Sequence, residues 1–399
     1  MRRLLLTGGM LLWSLVTVLA QGFPLQHRRV PAYDFASFKE NRISGESEDF
    51  ELFLRKLDTL VTTGKGDVRI LHVGGSHVQG GSWTGRLREN LLGLRYGLDG
   101  GRGLVFPYAV AWTNTPSTYR SYGTGTWEAS KCLHPDCVLG ATGMAITTSD
   151  STATATVDMM IDGRIRWTPA FCFNRVTVLG YGSLEPVIIM GRDTLRGREQ
   201  AGRWAFELPH YTDYVRVGFR GYPGRYTLKG MYLDRTDGGL TVSEAGVNGA
   251  TTSAWLRCDD FVEDLKLVMP DLVILSIGIN DIQGTDFSDT RFIQNYKEII
   301  RRIRKVNPHC AILLTTINDS WKRGNPNRYT ESAVAAARKV ARETGAVLWD
   351  LYEIMGGHGS MEGWAASGLA ASDRVHFNAS GYGLLGNLMF NALMDRIER

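Results

Sequence analysis

Four polar residues, from three distant segments of the chain, are of the types that an acyl transfer needs. Ser76 follows two glycines, Asn280 lies in a Gly-Ile-Asn-Asp run, and Asp373 and His376 stand three residues apart near the C-terminus. A serine hydroxyl is a poor nucleophile until a base removes its proton, and a histidine oriented by a carboxylate can act as that base. N–H donors such as an asparagine amide stabilise the negative oxygen that then forms. These residues therefore predict a nucleophile, an oxyanion donor, an orienting acid and a base.

The elements that must position these residues alternate between apolar strands and amphipathic helices. Strands are predicted at residues 68–73, 240–244, 272–277, 311–317 and 346–351, and helices at 47–61, 83–92, 252–267, 289–306, 330–344 and 379–397. Strands that are apolar throughout are buried on both faces, which indicates a parallel sheet covered by helices. The predicted fold class is therefore α/β.

Each candidate residue follows one of these strands. Ser76 follows the first, Gly249 the second and Asn280 the third, Trp321 follows the fourth, and the pair in 373–376 follows the fifth. In open parallel sheets, sites form beyond the carboxyl ends of the strands. We therefore expect these segments to meet at one edge of the sheet, where the backbone N–H groups of Ser76 and Gly249 would be further oxyanion donors.

Residues 105–238 differ from the rest of the chain in their sequence pattern. Helical periodicity is absent, and short β-rich runs are separated by Gly, Pro and Asp. Regularly spaced short strands predict a β-sandwich, and the stretch is too long to be a loop. We therefore expect an α/β domain built from residues 21–104 and 239–399, with an inserted β-sandwich domain at 105–238. Its aromatic residues could form a platform for sugars or fill the sandwich core: Trp112, Tyr119, Tyr122, Trp127 and Trp167.

The N-terminus has the pattern of an export signal. A basic start is followed by an apolar run over residues 4–18 and by the small residue Ala20. This pattern predicts a signal peptide at residues 1–20 and an exported protein, periplasmic or extracellular, without stable membrane insertion after its removal. An uncleaved anchor is the alternative. The net charge is only +4 and the basic residues are dispersed, so no nucleic-acid partner is expected.

The chain has five cysteines, an odd number that leaves at least one thiol unpaired. In an exported protein, Cys132 and Cys137 could close a small loop by a disulfide. Together with His134 they also suggest zinc, but a fourth ligand is missing, so no metal site is predicted. Cys258 and Cys310 lie in apolar segments and are expected to be buried.

The candidate residues together resemble the sequence blocks of the SGNH (GDSL-like) hydrolases. Ser76 matches the serine of the first block, Gly249 the glycine of the second, Asn280 the asparagine of the third, and Asp373 and His376 the pair of the final block. The resemblance covers about residues 68–82 and 240–399. It implies a flavodoxin-like three-layer fold with a parallel sheet, and ester hydrolysis without a metal or an organic cofactor.

The first block departs from the family pattern, because Gly75 stands where the family usually has aspartate. That aspartate is not the base, so the reaction is not excluded. The following His77 resembles the Asp-Ser-His form of bacterial peptidoglycan and polysaccharide O-acetylesterases. Several of these carry a β-sandwich, carbohydrate-binding-like module between the first and second blocks, where this chain has its insertion.

The resemblance implies a secreted carboxylic ester hydrolase acting on an acylated polysaccharide or peptidoglycan. A Ser76–His376–Asp373 triad would remove O-acyl groups, most simply O-acetyl, with an oxyanion hole formed by Ser76, Gly249 and Asn280. His77 and Trp321 are candidate substrate contacts, and a structural hydrogen bond is the alternative role for His77. Three alternatives stay open: a lipid or aryl-ester hydrolase, an acetyltransferase, and a catalytically weak carbohydrate-binding protein.

Overall fold

A computed structural model of the protein describes residues 23–24, 26–160 and 172–397. The predicted signal peptide at residues 1–20 and Trp167 lie outside the described residues. Among the described residues, no helix combines the length and the apolar character that crossing a bilayer requires.

A mixed sheet forms the centre of the α/β domain. Its strands, numbered along the chain, are β1 Ile43–Ser44, β2 Asp67–Gly74, β3 Gly239–Gly246, β4 Leu272–Ser276, β5 Ala311–Thr315 and β6 Val347–Trp349. They lie in the order β1-β6-β5-β4-β2-β3, with all neighbours parallel except the edge strand β1, which runs antiparallel to β6. The five parallel strands have the flavodoxin-like order, whose topological switch point lies between β2 and β4. The predicted α/β fold with a parallel sheet is confirmed.

Helices cover both faces of this sheet. The longer ones are α1 Glu48–Thr63, α2 Ser82–Leu92, α3 Phe261–Val268, α4 Asp289–Val306, α5 Thr330–Thr344 and α6 Ala379–Ile397. Short helical turns span Phe38–Glu40, Ser76–Gln79, Tyr108–Ala111, Thr252–Trp255, Ile279–Gln283, Leu351–Ile354 and Ser360–Ala366. Along β2, Ile70 packs in the core formed by α1, α2 and α6, whereas Leu71 packs in the core that includes α3, α4 and α5. This alternation is what a strand buried between two helical layers requires.

Helix α4 shows how the sequence determines an element. Ser288 caps its first turn by accepting a hydrogen bond from the Arg291 N–H at 3.3 Å. The buried residues of α4 recur at helical spacing, and Asn307 and Pro308 follow its last turn. The predicted bounds of 289–306 are confirmed. So are those of α5 and α6.

The single helix predicted at residues 252–267 is wrong. The structure has two helices there, Thr252–Trp255 and α3, separated by a turn. Contacts from the inserted region hold this turn: the Asp260 N–H donates to Leu139 O at 2.9 Å, and Arg257 donates to Cys132 O at 2.9 Å. Tertiary contacts therefore override a local pattern that was compatible with one helix.

The inserted region contains two antiparallel sheets. The five-stranded sheet comprises Asp193–Arg196, Glu185–Met190, Tyr214–Arg220, Thr154–Asp158 and Arg120–Thr124. The seven-stranded sheet comprises Arg198–Gln200, Arg203–Thr212, Phe173–Gly182, Tyr226–Asp234, Met144–Thr148 and Glu128–Lys131, with Gly103–Val105 paired to Tyr226–Asp234. A two-stranded hairpin, Trp321–Lys322 with Asn325–Pro326, lies outside this region. Apolar residues of both large sheets pack in one core, which continues into the α3–α5 side of the central sheet.

Buried ion pairs hold the α/β domain together and join it to the inserted region. Glu244 of β3 accepts from Arg102 Nη2 at 2.6 Å and from Arg88 Nη2 at 3.4 Å. On another strand, Lys229 Nζ contacts Asp260 Oδ2 at 2.7 Å and Asp264 Oδ1 at 3.0 Å. Removing one partner of such a pair leaves a buried charge uncompensated, which costs about 3–5 kcal/mol. The pairs of Lys229, which lies in the inserted region, therefore disfavour any other orientation of the two parts.

Asp99 makes the stability of this junction depend on pH. One carboxylate oxygen accepts the Gly101 N–H at 3.0 Å, while the other is buried and has no partner among the described residues. Burial raises the pKa of Asp99 to about 7. Because folding favours the neutral carboxyl of Asp99, its contribution to the free energy of unfolding is complete below about pH 3.9, the pKa of an Asp in the unfolded chain. This contribution is lost as the pH rises to about 7.

We therefore expect Asp99→Asn to gain free energy of unfolding relative to the wild type as the pH rises, because the amide carries no charge. The gain should grow between about pH 4 and about pH 7, by at most about 1.4 kcal/mol per pH unit. Urea unfolding at pH 5 and pH 8 measures it. Asp193→Asn, at an exposed site, is the control and should show no such trend. A stability difference between Asp99→Asn and the wild type that is independent of pH would contradict the raised pKa of Asp99.

Candidate active site

Ser76 lies directly after β2, at the start of the short helix Ser76–Gln79. The preceding turn is crowded. A Cβ on Gly74 would lie 2.3 Å from Val78 Cγ2 and 2.7 Å from Ser276 O, so a larger residue cannot occupy this position without displacing backbone. The Ser76 hydroxyl then points to the C-terminal loop, where Oγ lies 2.7 Å from His376 Nε2.

The His376 ring is oriented by Asp373. Nδ1 of the ring lies 2.7 Å from Asp373 Oδ2, and the other oxygen, Oδ1, accepts the backbone N–H groups of Val375 at 2.9 Å and His376 at 3.0 Å. Partial burial acts to raise the pKa of Asp373, but the hydrogen bonds from His376 and Val375 outweigh it and lower the pKa below its ordinary value. An ionised Asp373 holds the proton on Nδ1, which leaves Nε2 free to accept the Ser76 proton.

Three N–H donors lie on Ser76 itself and on the two segments next to the nucleophile turn. Residues 247–250 form a turn in which the Ala250 N–H donates to Val247 O at 2.9 Å and Gly249 has a φ of +81°. This is the type II pattern, which favours glycine at the third position. Among the described residues, the N–H groups of Gly249 and Ser76 have no acceptor. Both are therefore available to a ligand.

The Asn280 side chain is the third donor. Its Nδ2 donates to Ala250 O at 3.0 Å, and a Cβ on Gly75 would lie only 3.0 Å from the same atom. An amide nitrogen carries two hydrogens, so one remains for the site. The amide thus lies beside the nucleophile turn, as the order of the strands predicts.

Asp281 fixes the segment after β4. It accepts the Thr252 hydroxyl at 2.6 Å and the Thr252 N–H at 3.0 Å, and burial raises its pKa to about 6. These bonds tie the Asn280 loop to the segment that follows the Gly249 turn. Asp281 therefore supports the loop that carries Asn280, and the role of Thr252 in this contact gave no signal in the sequence.

His77 is buried beneath the catalytic candidates, with 6% of its surface exposed. Its Nδ1 lies 2.6 Å from the Tyr382 hydroxyl, and its ring centroid lies 5.1 Å from that of His376. Burial, together with the nearby His376, lowers the pKa of His77 to about 3, so the ring is neutral. Of the two roles expected for His77, the structure favours the structural hydrogen bond over a substrate contact, because the residue bonds to Tyr382 and packs against His376.

Trp321 borders the loop that carries the final pair. The backbone N–H of Trp321 donates to Arg374 O at 3.0 Å, and the Arg374 guanidinium lies 4.2 Å from the centroid of the Trp321 ring. The ring is half-buried. Trp83 and Trp255, by contrast, are each only 2% exposed and belong to the core. Trp321 therefore stays a candidate contact.

The aromatic residues of the inserted region divide into two groups. Tyr119 and Trp127 are buried, whereas Trp112 and Tyr122 are 72% and 45% exposed. Trp112 precedes a loop that reaches the nucleophile helix, where Thr113 Oγ1 accepts from Gln79 Nε2 at 3.1 Å. Part of the insertion thus contacts the candidate site directly.

The disulfide suggested for Cys132 and Cys137 is wrong, because both thiols are free. Cys132 is fully buried, with its N–H bonded to Gly143 O, whereas Cys137 is only half-buried. Cys258 and Cys310 are buried, as predicted. Within the described ranges, no cluster of three or more His, Cys, Asp or Glu side chains is placed to hold a metal ion.

Comparisons with known proteins bear on the fold and the family. Residues 195–384 match the model of the GDSL-like Lipase/Acylhydrolase family, a range that contains Gly249, Asn280 and the final pair but not Ser76. A solved structure described as a peptidoglycan O-acetylesterase matches with a TM-score of 0.75 at 24% identity, covering 89% of this chain and 99% of that chain. A lipase/acylhydrolase from Enterococcus faecalis matches at 22% identity with a TM-score of 0.32, covering 40% of this chain and 77% of that chain. No curated protein matches the chain significantly.

Proposed function

We propose, from the premise that the chain belongs to the GDSL-like lipase/acylhydrolase family, that it is a serine esterase removing O-acetyl groups from a polysaccharide or peptidoglycan. The observation that carries this proposal is the continuous contact from Ser76 Oγ through the His376 ring to Asp373, with 2.7 Å at each step. Nucleophile, base and orienting acid are thus within hydrogen-bond reach before any substrate binds.

In the first half-reaction, Ser76 Oγ attacks the carbonyl carbon of the acetyl ester while its proton passes to His376 Nε2. The carbonyl π electrons move to the oxygen, whose negative charge is held by the Ser76 N–H, the Gly249 N–H and the Asn280 amide. Asp373 stabilises the imidazolium. The tetrahedral intermediate then collapses, and the sugar oxygen leaves with the proton from Nε2.

In the second half-reaction, water attacks the acetyl-serine. His376 Nε2 removes a proton from this water and then returns it to Ser76 Oγ as the carbon–oxygen bond to the serine breaks. Acetate is released and the hydroxyl is restored. Each proton moves between atoms that the geometry already brings together or that water can bridge.

The surroundings of the triad favour a glycan ester over a lipid ester. The side chains of His376 and Asp373 are 38% and 50% exposed, so the reacting groups lie in an open site that a polymer can reach. The cavity beneath them, lined by His77, Trp83 and Phe377 among others, has a volume of about 20 Å³. A cavity volume of roughly 10–15 Å³ is enough to hold one water, so this cavity has room for about one or two waters. It cannot take a long acyl chain.

The inserted region supports a polysaccharide substrate. We interpret residues 105–238 as a β-sandwich, carbohydrate-binding-like module between two parts of the hydrolase domain, residues 21–104 and 239–399. The match to the solved O-acetylesterase covers 89% of this chain, so the likeness in fold extends to most of this region. Residues 1–20 would direct export to the periplasm or the outside of the cell, and N-terminal sequencing of the mature protein should then begin near Gln21.

Acetate release from a panel of acetylated glycans, including O-acetylated peptidoglycan and acetylated xylan, tests the proposal. We expect free acetate from at least one of them and from an aryl acetate, and negligible turnover of long-chain acyl esters. Turnover restricted to long-chain esters would support a lipase instead. Glycan binding by calorimetry without acetate release would support a binding protein, and acetyl transfer to a glycan without free acetate would support a transferase.

A further inference from the structure

A buried glutamine connects the nucleophile helix to the oxyanion turn. Gln79 ends the helix Ser76–Gln79 and is 1% exposed. Its Oε1 accepts the Asn248 N–H at 2.7 Å. Only the oxygen of the amide can face an N–H donor, so this contact fixes which way the Gln79 amide points.

The other end of the same amide holds a loop of the inserted region. Gln79 Nε2 donates to Asn114 O at 2.9 Å and lies 3.1 Å from Thr113 Oγ1. Asn114 Oδ1 in turn accepts from Asn248 Nδ2 at 2.6 Å. Asn248 is therefore held at its backbone N–H by Gln79 directly and at its side chain through Asn114.

Asn248 is the second residue of the turn that presents the Gly249 N–H. The bond from its N–H to Gln79 fixes the Val247–Asn248 peptide, and the bond from its side chain to Asn114 fixes the Asn248 side chain. The Gly249 N–H belongs to the next peptide, so its direction follows from the placement of Asn248. Without the Gln79 oxygen, the Asn248 N–H loses its acceptor and the turn is free to shift, which moves the Gly249 N–H relative to the nucleophile.

We infer that Gln79 is a positioning residue, which holds the Gly249 N–H in the orientation that binds the oxyanion. This inference rests on the proposed esterase function. Gln79 touches neither Ser76 Oγ nor the reacting ester. It acts through Asn248, and its amide nitrogen also contacts the 113–114 loop of the inserted region.

The test is steady-state kinetics of Gln79→Met with an aryl acetate. Methionine has a similar volume but cannot accept the Asn248 N–H. We expect kcat to fall about 10–100-fold, less than the complete loss of an oxyanion donor, with KM within about twofold of wild type. Thr113→Val is the matched control, since it removes a contact of Gln79 Nε2 at 3.1 Å and one of Asn248 Nδ2 at 3.4 Å but leaves the bond from the Asn248 N–H to Gln79 Oε1 in place. Its kcat should stay within about twofold.

A rescue variant separates positioning from a structural role. Proline is favoured at the second position of a type II turn and has no N–H to satisfy. Adding Asn248→Pro to Gln79→Met should therefore restore kcat at least about threefold. If Gln79→Met alone fails to fold, the double variant carries the test, and a folded double variant with kcat within about tenfold of wild type supports the inference.

Several outcomes would overturn the inference. These are an unchanged kcat in Gln79→Met, a change confined to KM, an equal loss in Thr113→Val, and no rescue by Asn248→Pro. Failure of the proposed function is distinct, because the wild-type protein itself would then show no turnover of the aryl acetate. Turnover by the wild type with an unaffected Gln79→Met would leave the esterase proposal intact.

Discussion

Ser76→Ala is expected to reduce kcat by at least about 10⁴-fold on both an aryl acetate and an acetylated glycan. The substitution removes the atom that would form the acyl-enzyme and leaves His376 without a proton to take. What remains is the oxyanion hole and substrate binding, which in serine hydrolases account for only about 10³–10⁴ over water. Rates are measured by release of the aryl alcohol and of acetate.

The fold should tolerate this change. The Ser76 side chain makes one hydrogen bond, to His376, and losing it costs about 1 kcal/mol. The melting temperature of Ser76→Ala should therefore stay close to that of the wild type. A large loss of kcat in a folded protein then reports on chemistry.

Ser82→Ala is the matched control. Its hydroxyl lies six residues further along the same segment and contacts Ser117 Oγ at 3.1 Å, so its removal should leave kcat unchanged. A fluorophosphonate, followed by mass spectrometry, gives a second readout. The reagent should label the wild type and Ser82→Ala once, and Ser76→Ala not at all. Undiminished turnover by Ser76→Ala would contradict the mechanism.

The convergence of the site was predictable because it follows from sheet order. Three polar segments each follow an apolar strand, and parallel strands bring their carboxyl ends to one edge. Ser76 and Asn280 follow β2 and β4, the neighbours at the switch point. Helix bounds such as those of α4 were also predictable, since both the cap and the apolar stripe are local in sequence.

Features that depend on tertiary contacts were not predictable. The strands Arg120–Thr124 and Glu128–Lys131 are mostly polar and show no clear alternation, so only their pairing partners define them. The sequence suggests that His77 is a pocket residue, and only the structure reveals its hydrogen bond with the Tyr382 hydroxyl. Gln79 carries no motif at all, because its importance lies in the Asn248 N–H that it accepts.

The structure gives a physical reason for the glycine at position 75, where the family usually has aspartate. A Cβ there would lie 3.0 Å from Asn280 Nδ2, closer than most real contacts. Glycine lets the Asn280 amide approach the nucleophile turn without displacement. The departure from the usual aspartate is therefore compatible with an assembled oxyanion hole in this chain.

Asn280→Ala is expected to lower kcat about 100–1,000-fold, with KM of an aryl acetate changed by less than about threefold. The amide donates to the oxygen only once negative charge has developed, so its loss raises the barrier by about 3–4 kcal/mol and affects ground-state binding little. Asn280→Asp should lose at least as much, because a carboxylate has the same shape but accepts hydrogen bonds and repels the oxyanion.

Asn307→Ala is the control for a general effect of deleting an asparagine. Asn307 Nδ2 also donates to a backbone carbonyl, Pro270 O at 3.0 Å, but it precedes β5 and so lies at the opposite edge of the sheet. It should lose stability without losing kcat. If Asn280→Ala instead raised KM and left kcat intact, the amide would be a substrate contact. The Gly249 and Ser76 N–H groups would then have to carry the oxyanion alone, and the effect of Gln79→Met, which acts on Gly249, should become the larger of the two.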